Sequence, residues 1–274
     1  MSLKAMYNKI ADQYETADRF GSISTSHNIA LQQLKSELLD FKLNHQSHIV
    51  DLGVGNGSFL NKTQALFPHA KFTGIDISHK MLEYAREKLP LNTIEASAAE
   101  AANYLPPHSQ DLIIAHFINA YVPLDILLQE ASTLMKANGY FSFITTTYES
   151  FPLAQQHLAS FIAESSLLSS VIGHYYKAMV KNTTVANNQE ELFASFEKHQ
   201  LQIVASERVQ IPITLETIDD LATFGIEGTW FLNSIATKML PQNFVVSRMK
   251  RLFSKIFTFP YEDTHVIDII LAKR

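Results

Sequence analysis

Residues 48–60 constrain the fold of this chain more than any other stretch. They begin as a short apolar run, continue through Gly53, Gly55 and Gly57, and then take on the pattern of a helix. Glycines at such a turn allow a sharp bend and a close approach of the backbone to a ligand. The helix N-terminus that follows offers unpaired N–H groups. Asp76 ends the next apolar run, where a carboxylate can accept both hydroxyls of a ribose. The stretch therefore predicts a nucleotide-like ligand.

Apolar runs and amphipathic stretches alternate between residues 48 and 147. The segment 111–117 is apolar almost throughout, as a strand buried on both faces requires. The alternation predicts a parallel sheet covered by helices on both sides. The predicted strands are 48–52, 71–77, 92–96, 111–117 and 140–146, and the predicted helices are 59–66, 79–88 and 124–136.

The pattern changes after residue 147. Segments of helical propensity, 151–180 and 215–256, flank a strand at 201–211, and the chain closes with a strand at 264–272. We therefore expect two helical insertions that, with the N-terminus, form a lid over the ligand crevice. The predicted domains are an N-terminal helical lid segment (1–45), a cofactor-binding core (46–147), a helical lid insertion (148–188) and the end of the core (189–274), with a second insertion at about 213–258.

Composition narrows the class of protein. Hydrophobic residues make up 46% of the chain, enough for a buried core. The chain contains no cysteine, which excludes disulfides and thiolate chemistry. The net charge of −5 does not favour a nucleic-acid partner. No membrane span and no signal peptide are visible, so we expect a cytoplasmic protein.

Two cofactors compete for the glycine loop. A nicotinamide fingerprint requires glycine at position 58, where this chain has Ser58. Asp51, just before the first glycine, would repel a pyrophosphate but suits a cofactor with an ammonium group. These residues favour S-adenosylmethionine over a dinucleotide, although a glycine turn that binds nothing is a further alternative.

The motifs resemble those of class I S-adenosylmethionine-dependent methyltransferases. Residues 50–57 resemble the first motif of that family, 72–78 the second and 111–117 the fourth-strand motif, while 7–14 resemble the lead helix of ubiquinone/menaquinone-biosynthesis and biotin-pathway methyltransferases. The resemblance implies a Rossmann-like, doubly wound α/β fold with a seven-stranded sheet whose last strand is antiparallel. Ala98 stands where relatives carry an adenine-contacting Asp, and Glu100 is the candidate substitute. The resemblance implies that S-adenosylmethionine, with S-adenosylhomocysteine as product, contacts Tyr14, Asp51, Gly53, Gly55, Asn56, Gly57, Asp76, Ile77, Met81, Ala98, Ala99, Glu100, His116 and Phe117.

Methyl transfer from a sulfonium is an in-line displacement that depends mainly on positioning. A base helps only if the acceptor must lose a proton. His116, at the end of the fourth strand, is the candidate catalytic residue, with a cofactor contact or a simple pocket wall as alternatives. His27 stands just before a predicted helix and either lines the acceptor site or is exposed. The full set of candidate acceptor residues is Tyr7, His27, Tyr121, Tyr148, Trp230 and Phe231.

The predicted function is methylation of a small-molecule acceptor on oxygen or carbon. The chain shows neither the Pro-Pro-Tyr element of nucleic-acid amino methyltransferases nor the carboxylate cluster of metal-dependent catechol enzymes, so we expect no metal. The alternatives are cyclopropanation or carboxylated-cofactor synthesis on the same fold, a cofactor-binding module without catalysis, and a nicotinamide oxidoreductase. A basic cluster is either a solvated helix face or a contact for an acidic carrier, a phosphorylated substrate or a membrane surface; it comprises Arg248, Lys250, Arg251 and Lys255.

Overall fold

Seven strands form one sheet in the order β3-β2-β1-β4-β5-β7-β6. The computed structural model describes residues 3–11, 14, 18–38, 47–164, 184–226 and 242–274. The strands are β1 (His48–Leu52), β2 (Lys71–Asp76), β3 (Asn92–Glu95), β4 (Gln110–His116), β5 (Met135–Thr145), β6 (Gln202–Leu215) and β7 (Tyr261–Lys273).

Strands β1 to β5 pair in parallel, whereas β7 runs antiparallel between β5 and β6. This is the doubly wound sheet with an antiparallel last strand that the sequence predicted, and the prediction is confirmed. Strands β6 and β7 are longer than predicted. β6 extends to Leu215 because it pairs with β7 as far as Tyr261.

Helices cover both faces of the sheet. The described helices are α1 (Leu3–Ile10), α2 (Ser22–Glu37), α3 (Ser58–Leu66), α4 (His79–Lys88), α5 (Leu124–Leu134), α6 (Pro152–Glu164), α7 (Gln189–Lys198), α8 (Ile218–Ile226) and α9 (Gln242–Ile256), with a 3-10 helix at Ala98–Asn103. α2, α3 and α4 pack on one face, and α5, α7 and the 3-10 helix pack on the other.

Strand β4 shows why its sequence is apolar at nearly every position. Leu112 and Ile114 are fully buried in the core beneath α2 and α3, while Ile113 and Ala115 are fully buried in the core beneath α5 and α7. Since both faces exclude water, both sets of side chains are apolar. The strand thereby delivers His116 to the carboxyl edge of the sheet.

The helices after β5 build a third, smaller core. α6 packs on β7 and α9, and α8 packs on β6 and α9. Phe224, Phe257 and Tyr261 are buried where these elements meet. The N-terminal segment divides into two parts: α2 packs against β5, β6 and β7, whereas α1 lies at the carboxyl edge of the strands, as described below.

Candidate functional site

The glycine loop connects β1 to α3. Gly53 N–H and Val54 N–H both donate to the carbonyl of Ile75, at 2.8 and 3.0 Å, which ties the loop to β2. Gly53 and Gly55 have φ values of +86° and +52°, in the left-handed region that L side chains rarely adopt. A Cβ on Gly53 would lie 2.2 Å from Ile118 Cδ1. The loop therefore needs glycine both for its conformation and for its contact with the segment after β4.

Gly57 also has a packing role. Its φ is +74°, and a Cβ there would lie 2.9 Å from both the Cα and the Cβ of Ala85 in α4. Gly57 thus allows α3 and α4 to pack closely. Asn56 lies within the same turn, where its Oδ1 accepts a hydrogen bond from Ser58 N–H at 3.2 Å.

Asp76 lies at the end of β2 beside the loop. Its Oδ2 accepts from Gly55 N–H at 3.0 Å, and its Oδ1 accepts from Ser78 N–H at 2.8 Å. Burial raises the pKa of the Asp76 carboxyl to about 6 despite these donors. Burial, and then the charge of Asp76, raise the pKa of Asp51 well above its ordinary value. Two acidic groups in one buried region suit a ligand that brings both hydroxyl donors and a positive charge.

A cavity of about 660 Å³, its opening to solvent included, lies above this loop. Nine of the predicted cofactor residues line it: Tyr14, Gly53, Gly55, Asp76, Ile77, Met81, Ala98, His116 and Phe117. The cavity wall also includes Ile118, Val122 and two of the predicted acceptor residues, Tyr7 and Tyr121. Five predicted cofactor residues are outside this wall and stay predictions: Asp51, Asn56, Gly57, Ala99 and Glu100.

Helix α1 borders the cavity and is attached at three places. Ser78 Oγ donates to Asn8 Oδ1 at 2.6 Å, and Lys4 forms an ion pair with Glu95 at the end of β3. Tyr7 meets Tyr121 edge to face, with ring centroids 5.7 Å apart. The helix therefore spans from β2 and β3 to the segment after β4.

His116 ends β4 within a group of rings. Its Nε2 lies 3.0 Å from Ser142 Oγ, and its ring centroid lies 4.2 Å from that of Phe59 and 5.4 Å from that of His27. Burial lowers the pKa of His116 well below its ordinary value. Burial, with a smaller effect of Lys62, lowers the pKa of His27 to about 3. Both imidazoles are therefore neutral near pH 7.

His27 is buried, with 8% of its surface exposed, so the expectation of an exposed side chain at a helix start was wrong. The reason is that α2 begins earlier, at Ser22. His27 consequently lies in the second turn of α2, where its ring packs 4.7 Å from Phe59 of α3.

The end of β5 is held by contacts between distant segments. Asn119 Nδ2 donates to Thr145 Oγ1 at 3.3 Å, and Thr184 Oγ donates to the Asn119 carbonyl. Arg208 of β6 donates from Nε to Asp268 Oδ1 at 2.8 Å and from Nη1 to Glu149 Oε2 at 2.7 Å.

Not every predicted acceptor residue reaches the cavity. Tyr148 follows β5, and its N–H donates to the Ala186 carbonyl at 2.9 Å; it is not part of the cavity wall. Trp230 and Phe231 are outside the described residues. Sequence reasoning missed Ser142, Asn119 and Asn8, since nothing in their local sequence indicates their partners across the fold.

Within the described ranges, no three His, Asp or Glu side chains converge in a way that could hold a metal ion. None of the helices that the structure describes is both long and apolar enough to cross a membrane.

Relatives at the sequence level share part of the chain. This chain is 41% identical over 76 residues to the trans-aconitate 2-methyltransferase of Afipia carboxidovorans, and the alignment covers 27% of this chain and 28% of that enzyme. It is 36% identical over 99 residues to the same enzyme of an Enterobacter species, covering 35% and 38%. The match spans less than two fifths of the length of these relatives.

Two solved structures share the fold. A Bacillus halodurans protein described as a candidate methyltransferase superposes with a TM-score of 0.54 at 13% identity, covering 87% of this chain and 97% of that one. The YcgJ protein of Bacillus subtilis gives a TM-score of 0.53 at 15% identity, covering 89% and 98%.

The family model described as a methyltransferase domain matches residues 43–206, more than half of the chain. That range contains β1 to β5, the glycine loop, Asp76 and His116. The expected family, and with it S-adenosylmethionine as the cofactor, is thereby confirmed: the chain belongs to the methyltransferase domain family.

Proposed function

We propose that this protein transfers a methyl group from S-adenosylmethionine to a small-molecule acceptor, on oxygen or carbon. The observation that carries the proposal is Asp76, which lines the cavity while its carboxylate is held by the backbone of the glycine loop and of Ser78. A carboxylate fixed at the end of β2 suits ribose hydroxyls. Asp51, buried nearby, suits an ammonium group.

Each part of the cavity wall suits one part of this cofactor. Asp76 would accept the ribose hydroxyls, Met81 and Ala98 offer apolar surface for an adenine ring, and Gly55 allows close approach of the backbone. When bound, the cofactor supplies a methyl group that is already activated on a sulfonium. The protein then has to orient an acceptor in line with that methyl group and exclude water.

The acceptor would lie between α1 and the end of β4. Tyr7, Tyr121 and His116 belong to the cavity wall there, and the ring centroid of His27 lies 5.4 Å from that of His116. The lid is proposed for α1, for the insertion at 148–188 and for the helices after β6. The acceptor named in the relatives, trans-aconitate, makes a carboxylic acid the first class of acceptor to test.

The basic cluster on α9 extends the proposal to an acidic carrier or a phosphorylated acceptor. Arg248, Arg251 and Lys255 have exposed side chains, whereas Lys250 Nζ pairs with Asp219 Oδ1 at 2.6 Å. A cytoplasmic location stays a prediction.

Calorimetry tests the cofactor. We expect S-adenosylhomocysteine to bind with a measurable heat that NAD does not give, and Asp76→Asn to weaken that binding because a neutral amide replaces the anion. Heat with NAD alone would overturn the proposal in favour of an oxidoreductase.

Turnover tests the reaction. Formation of S-adenosylhomocysteine is followed with trans-aconitate and with other carboxylic acids, alcohols and phenols as acceptors. The expected result is product formation with at least one of them. Tight cofactor binding without product, and a cavity too small for an acceptor in a complex structure, would favour the non-catalytic module.

A further inference from the structure

Buried polar atoms without a partner are few in the described part of the chain, and two of them lie at the end of β4. They are His116 Nδ1 and Asn119 Oδ1; the others are Gln33 Oε1 and His265 Nε2. A buried polar group without a hydrogen bond destabilises the fold, because it has lost its bonds to water and gained none in the protein. Such a cost at the carboxyl end of a strand, where open α/β sheets bind ligands, points to a partner supplied by a ligand.

The imidazole ring of His116 has one hydrogen bond among the described residues, and the partner is Ser142 on the neighbouring strand. Ser142 is 1% exposed, and its Oγ lies 3.0 Å from His116 Nε2. The register of β4 and β5 places Ser142 opposite Ile114, two residues before His116, so both side chains lie on the same face of the sheet. The pair is thus set by strand pairing.

The two tautomers of His116 leave different numbers of polar groups without a partner. If the Ser142 hydroxyl donates to Nε2, one polar hydrogen in the pair lacks a partner, namely Nδ1–H. If instead Nε2–H donates to Ser142 Oγ, both the hydroxyl hydrogen and the Nδ1 lone pair lack one, since the described residues offer Ser142 Oγ no other acceptor. The first arrangement leaves fewer groups unsatisfied and is therefore favoured.

We propose that Ser142 is a positioning residue that holds His116 as the Nδ1–H tautomer, so that His116 gives a hydrogen bond to an oxygen of the acceptor and does not take its proton. This inference rests on the proposed function. Burial supports it, because the lowered pKa of His116 keeps the ring neutral.

An acceptor in such a site must attack without losing a proton to His116. A carboxylate meets this condition. A lone pair of its oxygen forms the new O–CH₃ bond, the S–CH₃ bond breaks with its electron pair left on sulfur, and no proton moves. His116 Nδ1–H fits the carboxylate as a donor. The structure thus favours carboxylate O-methylation over methylation of an alcohol that needs a base.

A second buried serine–histidine pair supplies a matched control. Ser22 Oγ on α2 lies 2.9 Å from His265 Nδ1 on β7. Both residues are buried, at 1% and 0% exposure, and neither lines the cavity. Removing the Ser22 hydroxyl should therefore alter His265 and leave His116 unchanged.

The test is long-range ¹H–¹⁵N NMR of the full chain with labelled histidines, which distinguishes protonated from unprotonated ring nitrogens. His116→Gln assigns the His116 signals. We expect wild-type His116 to show a protonated Nδ1 and an unprotonated Nε2 at pH 7. In Ser142→Ala the two nitrogens should move to averaged positions, and Ser142→Thr, which retains a hydroxyl, should restore the wild-type pattern. Ser22→Ala should shift only His265.

Two results would overturn the proposal. A protonated Nε2 in the wild-type protein would make Nδ1 a base, and an unchanged His116 in a folded Ser142→Ala protein would remove the positioning role. The tautomer can be read without cofactor or acceptor, so this outcome is separate from the calorimetry above. A correct tautomer with no S-adenosylhomocysteine binding would refute the proposed function and leave the Ser142 assignment standing.

Discussion

The two halves of the candidate site are built in different ways. The proposed cofactor half, at the ends of β1 and β2, consists of the glycine loop and one carboxylate that accepts from the loop backbone. The proposed acceptor half, at the ends of β4 and β5, consists of side chains that meet across the fold, such as His116 with Ser142 and Asn119 with Thr145. The first half is local in sequence, whereas the second depends on tertiary packing.

Substitutions in the two halves should therefore have different effects. A change in the cofactor half acts on backbone geometry and on a single charge, so its effects should be large and should appear in cofactor binding or in folding. A change in the acceptor half removes one of several packed contacts. Its effect on cofactor binding should be smaller, and its main effect should fall on the choice of acceptor.

The largest effect is expected from Asp76→Ala. The substitution leaves the ribose hydroxyls, Gly55 N–H and Ser78 N–H without their charged acceptor. Losing about 3 kcal/mol of hydrogen bonding to a charged group corresponds to an affinity loss of about 100-fold. Calorimetry with S-adenosylhomocysteine measures it. Ser142→Ala, on the other half and outside the cavity wall, is the control and should change affinity far less; equal losses would remove the distinction between the halves.

Next comes a stability effect at Gly57. Gly57→Ala places a Cβ 2.9 Å from Ala85 at a φ of +74°. Left-handed backbone alone costs an L residue about 1–2 kcal/mol, and the contact with α4 adds to it, so we expect a loss of about 2–3 kcal/mol in the free energy of unfolding. Denaturant unfolding measures this loss.

The matched control is Gly55→Ala, where the nearest atom to the new Cβ is Tyr14 Cε1 at 3.9 Å. It should lose only the conformational part, about 1–2 kcal/mol. If Gly57→Ala proved no worse than Gly55→Ala, close packing of α3 against α4 would not explain this glycine.

A pH effect of intermediate size should follow from Asp76. Its pKa of about 6 in the free protein means that protonation competes with binding below that pH. Affinity for S-adenosylhomocysteine should therefore fall about tenfold from pH 7 to pH 5, and Asp76→Asn should lessen the slope. An affinity that is independent of pH over this range would contradict the assignment.

The same carboxyl has the opposite consequence for folding. Because its pKa is raised from 3.8 to about 6 on folding, the folded state binds more protons between these values. The free energy of unfolding therefore falls as the pH rises from about 4 to about 6, because the stabilising protonated form of Asp76 is lost.

The smallest effect is expected at the contact between α1 and the segment after β4. Tyr121→Leu removes the edge-to-face contact with Tyr7, which is worth about 0.5–1.5 kcal/mol. Loosening α1 should weaken S-adenosylhomocysteine binding by about twofold to tenfold. Tyr121→Phe keeps the ring and should bind as the wild type does; a loss in both variants would assign the effect to the hydroxyl instead.

The features that could be predicted from the sequence are those that depend on residues close together in the chain. The apolar run of β4, the glycine turn and Asp76 after β2 each follow from a pattern within a few positions, and the fold follows from their alternation. The sequence could not predict that Ser142 contacts His116, because that contact depends on the register of β4 and β5. It misjudged His27 because the start of α2 was placed too late, which changed the predicted exposure of that residue.

Gly57 shows a limit of motif reading. The motif groups three glycines, yet the contacts differ: Gly53 meets Ile118 and Gly57 meets Ala85. The tertiary contacts with Ile118 and Ala85 distinguish the two glycines, and the sequence of the loop does not predict them.

The position of β7 between β5 and β6 sets an order of events during synthesis. β6 leaves the ribosome before β7 but can join the sheet only through it. Synthesis adds about 5–20 residues per second, so both edges of β6 stay unpaired for several seconds. During that time β1 to β5 can already assemble. Glu207, Arg208 and Pro212 lie along β6, and charges and proline are residues that discourage pairing with the wrong strand. The composition of β6 thus protects a nascent chain whose last strand is still to come.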